Sequence, residues 1–398
     1  MGFFAESTLA KSKTPHTLVP RCDACGLYKA CKTPKMQVTG DGGLGVLIIA
    51  EAPGATEDAR GEQLVGKAGQ YLRTILQEIG IDLNRDCWKT NSIICRPLGN
   101  RNPTSNEIEY CRPNILQTIK ELRPRMIILL GGAAIRSVIG HYWKSDPGGI
   151  TRWAGWQIPC QQTNAWICPT FHPSYLLREE DPVLDLLFKQ QLASAFELEG
   201  TPWGVDIPDY TKQVQRIYDP VDVASAIREI IATNIPTAID YETDRLKPEE
   251  NDTRIICCSL SNGHKTISYP WVGETITATK EFAKSKCPKI AANIKFEQRW
   301  SKRHLGCNMR NWYHDTMQCA HVLDNRRGIT GLKFQSYARL GQPPYDDHIT
   351  PFLKSKHPND KNRIHEVPLR DVLMYCGLDS LLEYLLCQLQ RKDLGYVD

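Results

Sequence analysis

The chain has 398 residues, 41% apolar and 24% charged, a globular balance too long for one typical core, so two domains are expected. Its net charge of +4 is split evenly, 22 basic against 20 acidic residues in 1–200 and 27 against 25 beyond, which excludes a global basic field as the means of holding a polyanion. No apolar run of about 18 residues reads as a membrane span, and "MGFFAESTLAKSKTPH" lacks the apolar stretch of a secretory signal, so a cytoplasmic protein is expected. Fifteen cysteines in a reducing compartment point to packing and metal ligation rather than disulfides.

Residues 1–20 read as an N-terminal extension. From there to residue 199, short β-rich runs alternate with helical patterns: "GVLIIA", "CWKTNSIIC", "RMIILL" and "AWICPTF" are separated by "AGQYLRTILQEIG" and "NEIEYCRPNILQTIKEL". That alternation predicts βαβ units and a largely parallel sheet, with the functional site off the carboxyl ends of the strands. The four strand ends run into Glu51-Ala52-Pro53-Gly54, Asn91, Gly131-Gly132 and His172-Pro173-Ser174. A carboxylate, an amide, a glycine turn and an imidazole would therefore meet in one crevice. Each is also compatible with an ordinary strand-to-helix turn.

The segments "AEAPGATEDARGEQLVGKAG", "TNSIICRP", "NRNPTSNEIEYCRP", "ILLGGAA" and "HPSYLL" together resemble the ordered motifs of the family 4 uracil-DNA glycosylases, over roughly residues 20–198. The resemblance implies a three-layer glycosylase fold and a pocket for a base flipped out of DNA. His172 would donate to a carbonyl oxygen of uracil, and Asn91 would match its N3–H and O4 edge while its amide donor confronts the amino group of cytosine. Glu51 with the backbone around Ala50 and Ala52 would complete the wall, and Ser174, Tyr175, Leu176 and Arg178 of "SYLLR" would form a DNA-contacting wedge. Two positions depart from the family pattern. Ala50 stands where glycine is usual, and Leu64 where phenylalanine is usual, removing a ring on which the base would stack.

Cys22 and Cys25 form a CxxC, and Cys95 and Cys111 lie sixteen apart in "IICRP" and "YCRP". Thiolates from these segments can close on one centre. The resembled family uses this pattern for a [4Fe-4S] cluster; a zinc ion on the same four thiolates is the alternative, since spacing alone does not choose the metal. Cys31, Cys87, Cys160 and Cys168 are assigned to packing.

Gly200, Pro202, Gly204 and Pro208 punctuate a linker placed at 200–215, and a second domain is expected over 216–398. It opens with "IPTAIDYETD", where strand alternation sends Asp240 and Glu242 to one face. Such a pair repels unless a divalent cation neutralises it; an exposed strand edge is the other reading. "KIAANIKFEQRW" supplies Asn293, Phe296 and Glu297 at a strand-to-helix turn, and "LRDVLMYCGLDSLLEYLLCQL" places Tyr375 and Asp379 one helical turn apart.

The order DxE, Asn-x3-acid, Tyr-x3-Asp resembles the three motifs of DEDD 3′–5′ exonucleases, in the Tyr-bearing subclass found as proofreading domains of family A DNA polymerases, over roughly residues 216–395. The resemblance implies a ribonuclease H-like α/β domain in which Asp240, Glu242, Glu297 and Asp379 hold two Mg2+ or Mn2+ ions. Tyr375 would orient the attacking water, and Asn293 and Phe296 would contact the 3′-terminal nucleotides. Glu297 departs from the usual aspartate, and Asp315 in "HDT" is expected to be structural. A chain ending at residue 398 is too short for a polymerase domain as well, so a separately encoded polymerase in a bacterial or phage-infected cell is the expected partner. Three functions follow: uracil excision combined with 3′ trimming, a proofreading exonuclease whose first domain only binds bases, or a non-catalytic replication scaffold.

Overall fold

The computed structural model describes residues 19–143, 146–357 and 360–396, so the N-terminal extension lies almost wholly outside the described residues. Five strands form the first sheet: β1 (Val46–Ala50), β2 (Cys87–Asn91), β3 (Met126–Leu130), β4 (Ile158–Cys160) and β5 (Ala165–Thr170). Their order is β2-β1-β3-β5-β4, and all neighbours are parallel except β4, which pairs antiparallel with β5. β4 had no signal in the sequence reading; three residues are too few for a pattern.

Residues alternate across this sheet as a pleated backbone requires. Leu47, Ile49, Ile127 and Leu129 face α2 (Ser105–Leu122) and α3 (Gly131–Tyr142) through Ile115, Ile119, Ile135 and Val138. Val46, Ile48, Met126 and Ile128 face the other way, toward α1 (Lys67–Glu78), α4 (Pro173–Glu179) and α5 (Pro182–Phe196) through Leu72, Leu76, Leu176 and Phe188. Fully burying each such side chain stabilises the fold by about 1.5–3 kcal/mol. The result is the expected three-layer arrangement, with strands buried on both faces and loops at their ends.

The second sheet has six strands, ordered β11-β10-β7-β8-β9-β6. They are β6 (Val214–Arg216), β7 (Thr237–Thr243), β8 (Ile255–Ser261), β9 (Thr266–Pro270), β10 (Lys289–Ala291) and β11 (Trp312–Asp315). The β7-β8-β9 meander is antiparallel, while β10 and β11 run parallel with β7. This is the strand arrangement of the ribonuclease H-like expectation, with β6 added at one edge. The segment expected as a linker is not free chain. Tyr210 is buried within it, Trp203 Nε1 donates to Pro159 O at 2.9 Å, and β6 begins at Val214.

Helices α6 (Pro220–Thr233), α7 (Glu274–Lys284) and α8 (Ile294–Leu305) cover one face of this sheet, and α11 (Leu369–Asp393) crosses the other. By length and hydropathy α11 is apolar enough to cross a membrane, yet 72% of its apolar window is buried in the protein. Between α9 (Thr316–Leu323) and α11 lies α10 (Leu332–Leu340), which belongs to both halves. Its Phe334, Tyr337 and Ala338 sit in the same cluster as Leu47, Ile127 and Ile167 of the first sheet. The Phe334 ring lies 4.9 Å from Trp153, and Tyr337 lies 5.5 Å from Trp143.

Candidate active sites

The carboxyl ends of β1, β2 and β5 open on one cavity of about 350 Å³, lined by Ala50, Glu51, Ala52, Leu64, Asn91, His172, Ser174 and Arg178. Behind it, Gly131 follows β3 and opens α3 with φ +84°, and a Cβ there would come within 2.9 Å of the His172 Cβ. Only glycine satisfies both the left-handed backbone and that close approach.

His172 is the N-cap of α4, and its Nδ1 accepts the Ser174 N–H at 3.1 Å and lies 2.7 Å from Ser174 Oγ. The proton of the neutral ring is therefore assigned to Nε2. Burial, helped by the nearby Arg178 charge, pushes its pKa down to about 4, so the imidazole is neutral near pH 7. Burial likewise raises the Glu51 carboxyl, which Arg178 partly opposes.

Asn91 is buried at the last position of β2, where its Nδ2 donates to Gln63 Oε1. Gln63 is itself fixed by its Nε2, which donates to Gln37 O at 3.3 Å. This chain sets which end of the Asn91 amide faces the cavity. The sequence reading missed Gln63; its one signal was an uncharged amide in an otherwise acidic loop. The acids of that loop tie segments together. Glu57 accepts from the N–H groups of Gly54 at 3.1 Å, Val65 at 3.1 Å and Gly66 at 2.6 Å, and Asp58 accepts from Thr33 N at 2.9 Å.

One part of the wedge expectation needs correction. Leu176 points into the core with 6% of its surface exposed, whereas its neighbour Leu177 is 42% exposed. Helical periodicity forces adjacent residues to different faces, and the sheet claims Leu176. Tyr175 is half-buried with its ring 6.0 Å from that of Phe171.

Cys22, Cys25, Cys95 and Cys111 line one small cavity together with Leu27, Tyr28, Ile93 and Ile94. Lys35 N–H points at Cys95 Sγ at 3.3 Å, and Asn114 Nδ2 at Cys111 Sγ at 3.5 Å. Hydrogen bonds of this kind favour the thiolate that a metal needs. Burial otherwise pushes Cys95 up to about 12 and raises Cys25 and Cys111. Of the cysteines assigned to packing, Cys87, Cys160 and Cys168 are buried, while Cys31 is half-buried and donates to Leu27 O at 3.2 Å.

In the second half, Asp240 and Glu242 leave β7 opposite Ile239 and Tyr241, which face the α6 and α7 core. One ligand atom each from Asp240, Glu242 and Cys376 lie within 4.8 Å of one another. Tyr375 and Asp379 come from α11, and Asp379 Oδ1 accepts from both Lys333 Nζ and Tyr345 OH. Lys333 Nζ stands 4.0 Å from the Tyr345 ring centroid and 4.1 Å from that of Tyr375. Neither Lys333 nor Tyr345 was read as functional; the sequence offered only an amphipathic helix and a Pro-rich loop.

Glu297, on α8, is 2% exposed, and its Oε2 and Asp240 Oδ2 have no hydrogen-bond partner. Burial first, then the Asp379 charge, raises Asp240 to about 7, and burial with neighbouring acids raises Glu242 and Glu297 well above the carboxylate range. Carboxylates so desolvated and mutually repelling fit cations. Asn293 takes φ +69° at the start of α8, its N–H and that of Ile294 bound to Asp315 at 3.1 and 3.0 Å. Asp315 also caps α9 through Met317 N and Gln318 N, the structural role expected of it. Phe296 is half-buried, its ring 6.0 Å from Trp300.

A pocket of strand tips around a neutral imidazole, and a second cleft of buried acids beside a tyrosine, define a hydrolase with two reaction centres. A family model described as the uracil DNA glycosylase superfamily matches residues 37–195, and one described as 3′–5′ exonuclease matches 214–394. The type-4 uracil-DNA glycosylase of Pyrobaculum aerophilum is 37% identical over 186 residues, 46% of this chain and 91% of that protein. That of Thermotoga maritima is 33% identical over 179 residues, 44% of this chain and 88% of its own length. A DNA polymerase of Bacillus phage SP01 is 26% identical over 207 residues, 51% of this chain and 21% of the polymerase. The chain belongs to the type-4 uracil-DNA glycosylases, with a 3′–5′ exonuclease domain fused behind the glycosylase domain.

Proposed function

We propose that the first cleft releases uracil from DNA and the second trims 3′ ends, a combination suited to removing deaminated and mispaired nucleotides. The observation that carries this reading is the meeting of Glu51, Asn91 and His172 in one cavity. A base flipped into it leaves when the C1′–N1 bond breaks with both electrons passing to the base, and the charge spreads to O2. His172 donates from Nε2 to that oxygen; a neutral donor suffices because the pocket excludes water. Asn91, oriented by Gln63, accepts from N3–H, which cytosine lacks. Water then attacks C1′ and the raised Glu51 carboxylate takes its proton.

In the second cleft Asp240, Glu242, Glu297 and Asp379 would hold two Mg2+ or Mn2+ ions, as the partnerless oxygens support. Bound ions of this kind activate the attacking water and steady the leaving 3′ oxygen. Tyr375 orients that water, and Lys333 holds Asp379 in place. Asn293 and Phe296 shape the path of the 3′-terminal nucleotides. Incubating the protein with uracil-containing and normal labelled oligonucleotides, with and without EDTA, tests both centres. Abasic sites that persist in EDTA together with metal-dependent laddering are expected. Laddering alone favours a base-binding first domain, a reading to which Leu64 in place of a ring lends weight; neither product refutes both centres.

Cys22, Cys25, Cys95 and Cys111 hold a [4Fe-4S] cluster that staples the loops around them. Sulfurs on one zinc at about 2.3 Å would sit about 3.8 Å apart, whereas no three of these four sulfurs gather within 4.8 Å. Visible absorbance lost in Cys95→Ser is expected; a colourless, zinc-loaded protein overturns the assignment. The protein works on DNA in a bacterial or phage-infected cytoplasm together with a DNA polymerase, a relation to which the phage relative lends support. Affinity purification from such cells with no polymerase recovered would count against that partner.

A further inference from the structure

Cys376 has no part in the chemistry above, yet it is fully buried on α11, next to Tyr375 and three residues before Asp379. Its carbonyl accepts the Ser259 hydroxyl at 2.7 Å, which fixes this turn of α11 against β8. Its Sγ donates to Asp240 O at 3.6 Å. That contact alone would suit a packing thiol, the ordinary fate of a buried cysteine. The carboxylates beside it make the difference. One oxygen each of Asp240 and Glu242 and the Cys376 sulfur all lie within 4.8 Å of one another, and among the described residues no other three bring carboxylate, imidazole or thiol atoms so close.

Around a zinc ion held at about 2.0–2.2 Å by oxygen and about 2.3 Å by sulfur, two donors stand at most about 4.5 Å apart, so these three are within a small rotation of sharing one ion. Asp240 Oδ2 has no hydrogen-bond partner, and the Lys333 ammonium is engaged by Asp379 and Tyr345. The donor type decides which cation completes the group. Carboxylates and water suit Mg2+ and Mn2+, whereas a thiolate selects softer ions such as Zn2+ and Cd2+. Burial, then Cys257 and the neighbouring acids, keeps the free thiol protonated, so binding replaces the Sγ–H proton, which leaves to solvent.

We propose that Cys376, with Asp240 and Glu242, forms a mixed oxygen–sulfur site in the exonuclease centre that makes one of its cation positions selective for thiophilic ions such as Zn2+ and Cd2+. The proposal rests on reading the second cleft as a metal-dependent nuclease. Oxygen sites already hold Zn2+ more tightly than Mn2+, so the diagnostic quantity is how far Cys376 widens that ratio. Its test is competitive titration of the full chain with Zn2+ and Mn2+, the four-cysteine site being filled, together with the ultraviolet sulfur-to-metal absorbance of one equivalent of Cd2+. Cys376→Ser keeps the size and removes the soft donor. Zn2+ is expected to bind at least about 10-fold more weakly, the loss that even an outer-sphere partner brings, with Mn2+ binding as before and the Cd2+ band gone. An unchanged ratio of the two affinities in folded Cys376→Ser overturns the proposal, whether both hold or both fall, because a packing defect weakens both ions alike. Wild-type protein that binds no Mn2+ overturns the nuclease reading itself, which separates the two failures. Should the serine variant not fold, Cys376→Ala removes the same donor from an apolar setting and is read by the same ratio.

Discussion

The two clefts are built on opposite principles. In the glycosylase cleft His172 is paired with Ser174 and Asn91 with Gln63, so the key polar groups are already held by protein. In the exonuclease cleft Asp240 and Glu297 each keep an oxygen without a partner. The first is preorganised for a neutral ligand that brings its own donors and acceptors. The second stores repulsion that protons or bound cations must relieve, so the two centres should separate cleanly by metal dependence even though α10 joins their cores.

The largest expected effect sharpens that separation. Asp240→Ala should lower 3′ trimming by at least about 10³-fold, as loss of a metal ligand at a two-metal centre implies, and leave uracil excision intact in the same preparation. Equal loss of both activities would break the comparison.

Next is the joint between the halves. Phe334 is 2% exposed against Trp153 and Trp156 of the first half, and Phe334→Ala should cost about 3–5 kcal/mol. Because Lys333 is its neighbour on α10, trimming should fall as well, and the melting curve should split into two transitions. A single unshifted transition would show that α10 does not couple the cores.

A smaller effect is expected at Gln63. Gln63→Leu leaves the Asn91 amide unoriented, at about 1–3 kcal/mol for a buried group left unpaired. Uracil release should drop about tenfold, and the preference over cytosine should narrow; an unchanged ratio of the two bases would remove Gln63 from specificity.

The mildest is a pH effect. His172 is held neutral with a pKa of about 4, below the unfolded value of about 6.5, so the unfolded chain binds a proton that the native one refuses. Stability should fall as pH drops from about 6.5 toward 4, by about 2 kcal/mol at pH 5, and His172→Gln should flatten that slope in thermal melts.

Much of this was legible in one dimension. Strand tips carry Glu51, Asn91 and His172 because a parallel sheet puts all its carboxyl ends on one side, and Asp240 with Glu242 or Tyr375 with Asp379 follow from the periods of strand and helix. Gln63, Lys333 and Tyr345 were not legible. Lys333 meets Asp379 across 46 residues, and Gln63 meets Asn91 across 28, distances at which no local pattern records a contact. Leu176 was misjudged for a related reason: "YLL" offers two leucines, and only the sheet beneath decides which one is buried.

The amino-acid order by itself determined two α/β units, the strand ends that bear polar groups, and the four cysteines able to share one centre. Tertiary structure alone decided which amide orients Asn91, which lysine neutralises Asp379, and that a helix from the second unit completes the core of the first. Periodicity is a property of neighbours along the chain, whereas the pairing of buried polar groups depends on segments that only folding brings within hydrogen-bond reach.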